Sequence, residues 1–276
     1  MLKNTFCHIP GISLQKETKL WNDGIHSWEQ LAKIFNNFRI EKYIEHSIQC
    51  VEKNDLNFFA ENLPVKEHWR LFKDFRQNAV YLDIETTGMK YSIDYITTIA
   101  IYDGREIKYF VNGDNLHQFP FEIQNYNLLI TYNGKCFDVP FIEKFFGINL
   151  NMVHIDLRYL LKSLGYVGGL KACERKLGIS RHLLEDVDGF FAVYLWNEYK
   201  NKKNKKALET LLAYNIQDVL NLEKLMVISY NMKLQNTPFT EIHKLPLPNL
   251  PANPFTPDNK TIERIRNKLS SWNFKW

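Results

Sequence analysis

The first part of the chain carries the apolar spacing of helices. Between residues 6 and 35 short apolar groups alternate with polar turns, which predicts two or three short helices. From residue 39 to residue 78 the apolar residues recur three and four positions apart, which predicts that the helical structure continues. The chain therefore begins with a segment that buries the apolar sides of helices.

The middle of the chain has the composition of β-strands. Short runs rich in β-branched and aromatic residues predict five strands, at residues 79–84, 95–102, 105–111, 128–132 and 152–155. Asp103-Gly104 predicts a two-residue hairpin turn between the second strand and the third. Residues 139–146 predict a helix that ends at Gly147, and residues 156–231 read as almost continuous helix. This order predicts an α/β fold in which helices flank a mixed sheet, an antiparallel three-strand meander with parallel strands beside it.

These patterns divide the chain into three segments. We predict a helical appendage over residues 1–75, the α/β domain over residues 76–235, and a proline-rich strap with a basic helix over residues 236–276. Pro10-Gly11-Ile12 in the appendage is loosely similar to half of a helix-hairpin-helix element, whose backbone N–H groups bind nucleic-acid phosphates. Ser13 stands where that element has its second glycine, so a plain structural hairpin is an equal alternative.

The composition is that of a globular protein with a mildly basic charge. Hydrophobic residues make up 45% of the 276 positions, and the net charge of +4 permits a polyanionic partner without requiring one. Because the sequence has neither an apolar stretch of roughly 20 residues nor a signal peptide, we expect a cytoplasmic protein without a membrane partner. Four widely spaced cysteines match no zinc or disulfide pattern and are interpreted as reduced thiols: Cys7, Cys50, Cys136 and Cys173.

Two acidic residues at the end of the first strand are the strongest candidates for chemistry. Asp83 and Glu85 lie two positions apart, so their side chains point to the same face of the strand. Two like charges on a buried strand repel each other, and a bound cation would make the arrangement tolerable. The sequence therefore favours a metal site, with an exposed acidic turn as the alternative.

Three further residues could join these acids. Asp138 precedes the helix predicted at residues 139–146, where the commonest role of an aspartate is to cap the helix. Tyr214 and Asp218 are four positions apart in a predicted helix, so both lie on one face of it. A structural tyrosine–aspartate pair is the alternative for these two. Each feature alone favours its structural interpretation, whereas the combination with the strand acids favours a site.

The combination resembles the exonuclease family named for its Asp-Glu-Asp-Asp carboxylates, in the tyrosine (DEDDy) subclass. The matching residues, in the order and spacing of that family, are Asp83, Glu85, Asp138, Tyr214 and Asp218. The histidine subclass has its histidine five positions before the last aspartate, where this chain has Ala213. Three sequence motifs that contain these residues also resemble that family: Asp-Ile-Glu-Thr-Thr-Gly, Asn-Gly-Lys-Cys-Phe-Asp and Tyr-Asn-Ile-Gln-Asp. Over most of its length, including Cys-His-Ile-Pro-Gly-Ile, the chain resembles the bacterial YprB-type ribonuclease H-like proteins.

The resemblance implies a ribonuclease H-like fold and a two-metal-ion mechanism. The four carboxylates would hold two Mg²⁺ or Mn²⁺ ions roughly 3.5–4 Å apart, one activating the attacking water and the other stabilising the leaving 3′-oxygen. Tyr214 would orient that water, because a phenol with a pKa of about 10 is a poor base at neutral pH. The expected reaction releases nucleoside 5′-monophosphates from the 3′ end of a single-stranded nucleic acid. DNA is favoured, although the sequence singles out no reader of the 2′-hydroxyl.

Substrate contacts are predicted close to the carboxylates. The candidates are Thr86, Thr87, Gly88, Asn133 and Phe137. The first three follow the strand acids directly, in a segment that contacts the terminal nucleotide in the resembled family. Asn133 could reach a phosphate and Phe137 could stack on a base. The alternative for the first three is a turn with local side-chain caps. Asn133 could instead only shape its turn, and Phe137 could pack in the core. Five lysines between residues 200 and 206 could guide a strand or form a solvated loop.

Two other functions share these features. A binding module could keep the fold without turnover, but such proteins have typically lost a carboxylate and all four are present here. An endonuclease of the ribonuclease H type would share the sheet and the metal chemistry, although the tyrosine four positions before the last aspartate argues against it. The sequence therefore predicts an enzyme, a metal-dependent 3′-5′ exonuclease that hydrolyses phosphodiester bonds.

Overall fold

The computed structural model describes residues 1–185 and 187–273, which form two compact units. One unit comprises Met1–Ala79 and Val227–Leu247, and the other comprises Val80–Met226 and Pro248–Trp276. The last three residues of the predicted third segment, 274–276, lie outside the described residues. The division of the chain at residues 75 and 235 stays a prediction.

The first unit is helical. Its first five helices are α1 (Leu14–Asn22), α2 (Trp28–Phe35), α3 (Phe38–Glu52), α4 (Leu56–Asn62) and α5 (Phe72–Phe75), with 3₁₀ turns at Leu2–Asn4, Val65–Leu71 and Arg76–Asn78. The helical structure predicted for residues 39–78 is interrupted. Asn54 adopts a left-handed conformation with φ of 57°, and Pro64, which has no amide hydrogen to donate, follows α4.

The segment with the loose helix-hairpin-helix similarity has a structural explanation. Gly11 has a φ of 83°, a conformation that glycine adopts without strain. Ser13 precedes α1, and its hydroxyl accepts a hydrogen bond from the amide of Lys16 at 3.2 Å. Ser13 is therefore the N-cap of α1, and both interpretations of this hairpin stay predictions.

A buried charged cluster lies inside the first unit, and we call it the Arg70 cluster. Its members are Arg70, Glu17 and Glu67. The guanidinium of Arg70 lies 2.8 Å from an oxygen of each carboxylate. Glu17 also accepts hydrogen bonds from the amides of Phe6 at 2.6 Å and Cys7 at 3.0 Å. Every charge in this cluster therefore has a partner within the chain.

The second unit is built on a five-stranded sheet. The strands are β1 (Ala79–Thr86), β2 (Ile96–Tyr102), β3 (Ile107–Val111), β4 (Leu128–Thr131) and β5 (Val153–Asp156), in the order β3-β2-β1-β4-β5. The pairs β1–β2 and β2–β3 are antiparallel, and β4 and β5 are parallel. The predicted mixed sheet is confirmed.

The turn between β2 and β3 differs from the prediction. Tyr102 pairs with Ile107, so the connection has four residues, 103–106, rather than two. The side chain of Asp103 accepts hydrogen bonds from the amides of Arg105 at 2.9 Å and Glu106 at 2.7 Å. These bonds hold the turn together with one backbone bond, which the amide of Asp103 donates to the carbonyl of Glu106 at 3.3 Å.

Eight further helices follow along the chain. They are α6 (Phe119–Glu122), α7 (Asp138–Phe146), α8 (Leu157–Ser163), α9 (Leu170–Lys176), α10 (Gly189–Lys202), α11 (Lys205–Leu234), α12 (Thr240–His243) and α13 (Asn259–Asn273). The stretch predicted as almost continuous helix is thus four separate helices. The predicted strap has no regular structure over residues 244–258, and α13 is the predicted last helix. Within the described residues, helices are either too short or too polar to cross a bilayer.

The alternation along β1 decides where the acids lie. Val80, Leu82 and Ile84 belong to the core that also contains Phe141 and Ile142 of α7. Burying each such side chain contributes about 1.5–3 kcal/mol, which fixes the face that β1 turns to this core. The odd-numbered residues of β1 therefore point to the opposite face of the sheet.

Candidate metal centre

Strand β1 and helix α11 bring three acidic side chains together. Asp83 and Glu85 of β1 and Asp218 of α11 each offer a carboxylate oxygen, and the three oxygens lie within 4.8 Å of one another. Asn215, one turn before Asp218, donates to Oδ2 of Asp83 at 2.7 Å and accepts from the hydroxyl of Thr98 in β2 at 3.0 Å. These bonds tie α11 to the sheet at the position where the acids meet.

Asp138 lies beside this group without being one of the three. It is the first residue of α7, and its Oδ1 accepts a hydrogen bond from the amide of Ile84 in β1 at 3.1 Å. Only 4% of its surface is exposed. The pairing register of β1 shifts between Glu85 and Thr86, and such a bulge bends a strand next to a site. We refer to the four acids together as the carboxylate cluster: Asp83, Glu85, Asp138 and Asp218.

Burial raises the pKa of every acid in the cluster. For Asp83 and Glu85 the pKa lies well above its ordinary value, first because of burial and then because Asp218 and Asp138 are close. Burial also raises the pKa of Asp138 to about 7. The pKa of Asp218 rises to about 6, since the effect of burial is partly offset by the positive charge of Arg181. A hard divalent cation prefers carboxylate oxygens as ligands, so its binding would displace the protons from these four acids. The acidic cluster therefore fits metal binding.

Tyr214 lies one turn before Asp218 on α11 and is almost fully buried. Burial raises the pKa of its hydroxyl well above the ordinary value, and the charge of Asp218 adds to the rise. Two cations lie against its ring, with Nζ of Lys171 at 5.5 Å and the guanidinium carbon of Arg181 at 5.8 Å from the ring centroid. The phenol is thus a protonated hydrogen-bond donor at neutral pH.

A buried network behind Asp218 was missed by the sequence analysis. Arg181 contacts Oδ1 of Asp218, and its Nη2 donates to Oε1 of Glu174 at 2.7 Å. Asn221 donates to the same oxygen of Glu174 at 2.9 Å. Arg181 lies 37 positions from Asp218, and the sequence around Glu174 does not distinguish it from other acidic residues in helices. Asn215, by contrast, belongs to the motif Tyr-Asn-Ile-Gln-Asp, so the sequence could have marked it as a candidate site residue.

The cluster lines a cleft of about 910 Å³, which is large for a small-molecule site. Two cations of α8, Arg158 and Lys162, also line it. They lie four positions apart, so they share one face of the helix, a spacing that was visible in the sequence but not used. The cleft also contains the exposed side chains of Met89 and Phe190. It therefore combines acids, cations and exposed apolar surface.

The predicted substrate segment after β1 forms a compact turn. The hydroxyl of Thr86 donates to the carbonyl of Gly88 at 2.6 Å, and that of Thr87 donates to Asp94 at 3.0 Å. A Cβ atom at position 88 would lie 2.6 Å from the carboxyl group of Asp94, so any larger residue there would have to displace the Asp94 side chain. Thr86 and Gly88 line the cleft, whereas the hydroxyl of Thr87 is bound within the turn. Contact with a nucleotide stays a prediction for all three.

The two other predicted substrate residues also line the cleft. Asn133 has a φ of 66°, its amide donates to Asp156 at 2.7 Å, and its side-chain oxygen accepts from Arg158. Phe137 is half-buried, and its ring centroid lies 5.7 Å from that of Phe141. Both residues thus have a structural role in addition to their place at the cleft, and their contact with substrate stays a prediction.

Comparison with known sequences defines the family. The RNase H superfamily matches residues 80–230, which is more than half of the 276-residue chain. The chain belongs to the RNase H superfamily, and the predicted ribonuclease H-like fold is confirmed. Among curated protein sequences, none matches the chain closely enough to count as a relative.

Solved structures give more distant similarities. The chain is similar to the family B DNA polymerase of Pyrobaculum calidifontis, with 15% identity, a TM-score of 0.44 and coverage of 57% of this chain. It spans 24% of that polymerase, about a quarter of its length. It is also similar to Brucella melitensis NrnC with bound Mg²⁺, with 18% identity, a TM-score of 0.38 and coverage of 59% of this chain and 77% of NrnC. For NrnC bound to pGG the identity is 18%, the TM-score 0.38 and the coverage 63% and 81%. Similarity at this level says nothing about activity.

Proposed function

We propose that the chain is a metal-dependent 3′-5′ exonuclease of the tyrosine subclass, similar to the YprB-type proteins. Its substrate would be single-stranded nucleic acid, with DNA favoured, and its products nucleoside 5′-monophosphates. The observation that carries the proposal is the convergence of Asp83, Glu85 and Asp218, whose oxygens lie within 4.8 Å of one another. Glu85 and Asp218 are buried and Asp83 is half-buried. Such crowding of like charges is costly unless a cation balances it.

The carboxylate cluster would hold two ions, Mg²⁺ or Mn²⁺. When bound, such ions lower the pKa of a water molecule and stabilise charge on the oxygens of the transferred phosphoryl group. The chain's own part is to hold the ligands in place. Asn215 fixes the carboxylate of Asp83, and the amide of Ile84 fixes that of Asp138. Arg181 contacts one oxygen of Asp218, so that the second oxygen is the one available for a metal.

Tyr214 would position the attacking water. Because burial and the nearby Asp218 raise its pKa, the phenol keeps its proton at neutral pH and acts as a hydrogen-bond donor. A donor of this kind orients a water molecule or a phosphate oxygen without removing a proton. Its role is therefore placement of the reactants, which in enzymes lowers a reaction barrier by several kcal/mol.

The cleft would bind the terminal nucleotides. Arg158 and Lys162 would bind backbone phosphates, and the exposed ring of Phe190 would stack on a base, contacts that tolerate any sequence. The residues predicted from the sequence would contact the terminal nucleotide: Thr86, Thr87, Gly88, Asn133 and Phe137. An unpaired 3′ end would enter such a cleft more easily than a duplex end, which supports single-stranded substrates.

End-labelled oligonucleotides test this function. A 30-nucleotide single strand labelled at its 5′ end should give a ladder that shortens with time in Mn²⁺, and EDTA should abolish the reaction. The same strand labelled at its 3′ end should release labelled mononucleotide from the start. Internal fragments from both labels would instead identify an endonuclease of the ribonuclease H type. Binding without cleavage in Mg²⁺ and in Mn²⁺ would identify a silent binding module.

A further inference from the structure

Positive charge is concentrated on one surface of the second unit, which we call the basic patch. Its members come from the end of α10, the start of α11 and the helix α13: Lys200, Lys202, Lys203, Lys205, Lys206, Lys260 and Arg264. All seven residues are exposed. Five of them are the lysines between residues 200 and 206. From the sequence, these could either guide a nucleic-acid strand or form a solvated loop.

Specific contacts bring these segments together. Arg264 of α13 pairs with Glu198 of α10 at 2.8 Å. The amide of Asp258, just before α13, donates to the hydroxyl of Thr210 in α11 at 2.9 Å. Ile262 of α13 lies in the same buried core as residues of α10 and α11. The patch is therefore one folded surface formed by segments that are far apart in the sequence.

The charge of the chain is unevenly distributed because of this patch. Four acids lie among its seven cations: Glu198, Glu209, Asp258 and Glu263. The whole chain has 35 basic and 31 acidic residues. Without the patch 28 basic and 27 acidic residues remain, so the patch carries +3 of the net charge of +4. A solvated loop needs charge for solubility but does not need charge of one sign.

Part of this charge is available to a ligand. Lys202 and Lys206 pair with Glu198 and Glu209, yet about 62% and 63% of their side chains stay exposed. The ammonium groups of Lys203 and Lys205 make no hydrogen bond or ion pair with any other described residue. Exposed cations of this kind release counterions when a polyanion binds, which favours the bound state.

Helix α10 connects the patch with the cleft. Gly189 and Phe190, at its first turn, line the cleft, and Lys203 follows its last residue. Lys203 lies thirteen positions after Phe190, which corresponds to roughly 20 Å of helix at ~1.5 Å per residue. A nucleic-acid strand covers this length with about six nucleotides at ~3.4 Å each. With its bases stacked, a strand of ten or more nucleotides could thus reach both places, and a tetranucleotide could not.

We propose that the basic patch is a second nucleic-acid contact, which binds backbone phosphates of the strand whose 3′ end occupies the cleft. The inference rests on the proposed function. Nucleic acid suits the surface better than a membrane does, because helices that bind membrane surfaces present large apolar side chains between their cations. Among residues 197–210 and 258–270, large apolar side chains are not exposed. The partner is therefore expected to be recognised through its phosphates alone.

Binding measurements test the patch separately from catalysis. Fluorescence anisotropy in EDTA, where hydrolysis is excluded, would compare a labelled 20-nucleotide strand with a tetranucleotide. For Lys203→Glu combined with Lys205→Glu we expect the Kd of the long strand to rise at least about tenfold. We also expect the slope of log K against log salt to become shallower by about 1.4, since two phosphate contacts are lost at ~0.7 each. The Kd of the tetranucleotide should stay the same.

A matched control has the same change of net charge elsewhere. Lys33→Glu combined with Lys66→Glu alters two exposed lysines of the first unit and should leave the Kd of the long strand within about twofold. Equal losses in the patch variant and the control would overturn the proposal, as would equal losses for long and short strands. Competition by poly-glutamate as strong as that by DNA would point to an acidic protein partner and would also overturn it. Intact binding with no hydrolysis in any metal would leave the patch supported and refute the exonuclease function instead.

Discussion

The two units each bury a cluster of charges, and the two clusters are built in opposite ways. In the Arg70 cluster one guanidinium lies between two carboxylates, and backbone amides bind the more deeply buried carboxylate. In the carboxylate cluster four acids share one contacting cation among the described residues, Arg181, which also binds Glu174. Each carboxylate of the first cluster contacts the guanidinium, which leaves that cluster a formal charge of −1, whereas the four acids of the second cluster together with Arg181 have a formal charge of −3 when ionised.

This difference distinguishes a cluster with a structural role from one that is a candidate metal site. Burying a charge costs several kcal/mol unless it is paired, so an unbalanced cluster has to take up protons or a cation from outside the chain. Buried groups with strongly shifted pKa values therefore mark candidate sites. The comparison predicts that neutralising a buried acid changes the free energy of unfolding in opposite directions in the two clusters.

Asp83→Asn should have the largest effect. It removes a proposed metal ligand, and we expect roughly a 10⁴-fold loss of exonuclease activity, equivalent to about 5 kcal/mol of barrier. In EDTA the same substitution should raise the free energy of unfolding, because it removes one of several repelling charges. Urea unfolding and the end-label assay measure the two effects on the same sample.

Glu17→Gln is the matched comparison for that substitution. It also neutralises a buried acid, but one that pairs with Arg70 at 2.8 Å. The free energy of unfolding should therefore fall rather than rise. If both substitutions lowered stability equally in EDTA, the contrast between the two clusters would be wrong.

Arg70→Met should cost about 3–5 kcal/mol of unfolding free energy, the usual consequence of leaving a buried carboxylate without its partner. Mn²⁺ should not restore this loss, because the Arg70 cluster has only two carboxylates and the described residues there form no group of three possible metal ligands. Arg39→Met, at an exposed position, is the control and should change stability by less than about 0.5 kcal/mol. Recovery of the Arg70 variant in Mn²⁺ would show that its cluster also binds metal.

Tyr214→Phe should slow kcat about a hundredfold, which corresponds to about 2.7 kcal/mol, while the Kd for Mn²⁺ changes less than about twofold. The ring stays in place against Arg181, and only the hydroxyl is lost. Single-turnover rates together with Mn²⁺ titration measure the two quantities. A variant that lost Mn²⁺ binding would assign Tyr214 to the metal ligands and contradict a positioning role.

The sequence identified the parts of the site that are encoded locally. The first strand was predicted at residues 79–84 and observed at Ala79–Thr86, because a buried strand needs an uninterrupted apolar run. The spacing of Asp83 and Glu85, and that of Tyr214 and Asp218, places each pair on one face of its element. The structure brings Asp83, Glu85 and Asp218 together, as the spacing and the resemblance suggested.

The parts that the sequence missed depend on contacts between distant segments. Arg181 and Glu174 form their network through tertiary packing, and no periodic pattern marks either residue. The turn after β2 depends on hydrogen bonds that the side chain of Asp103 accepts from two amides. An aspartate can accept such bonds in a two-residue turn and in a longer one, so its presence does not predict the length of the turn. The break at Asn54 needs a left-handed residue, a conformation that asparagine permits but does not require.

The raised pKa values give the carboxylate cluster a defined dependence on pH. In the metal-free protein the folded state holds protons on Asp138, with a pKa of about 7, and on Asp218, with a pKa of about 6, while the unfolded state does not. The stability contributed by these protonated groups is therefore lost as the pH rises from about 4 to 7. Metal binding has the opposite dependence, since it needs the ionised carboxylates.

Calorimetric titration with Mn²⁺ at pH 8 and at pH 5 tests most directly whether the carboxylate cluster is a divalent-metal site. We predict that about two ions bind at pH 8, that binding is at least about tenfold weaker at pH 5, and that Asp83→Asn loses most of the binding at both values. Mn²⁺ binding that is unchanged between pH 5 and pH 8, or that survives in the Asp83→Asn variant, would contradict the account.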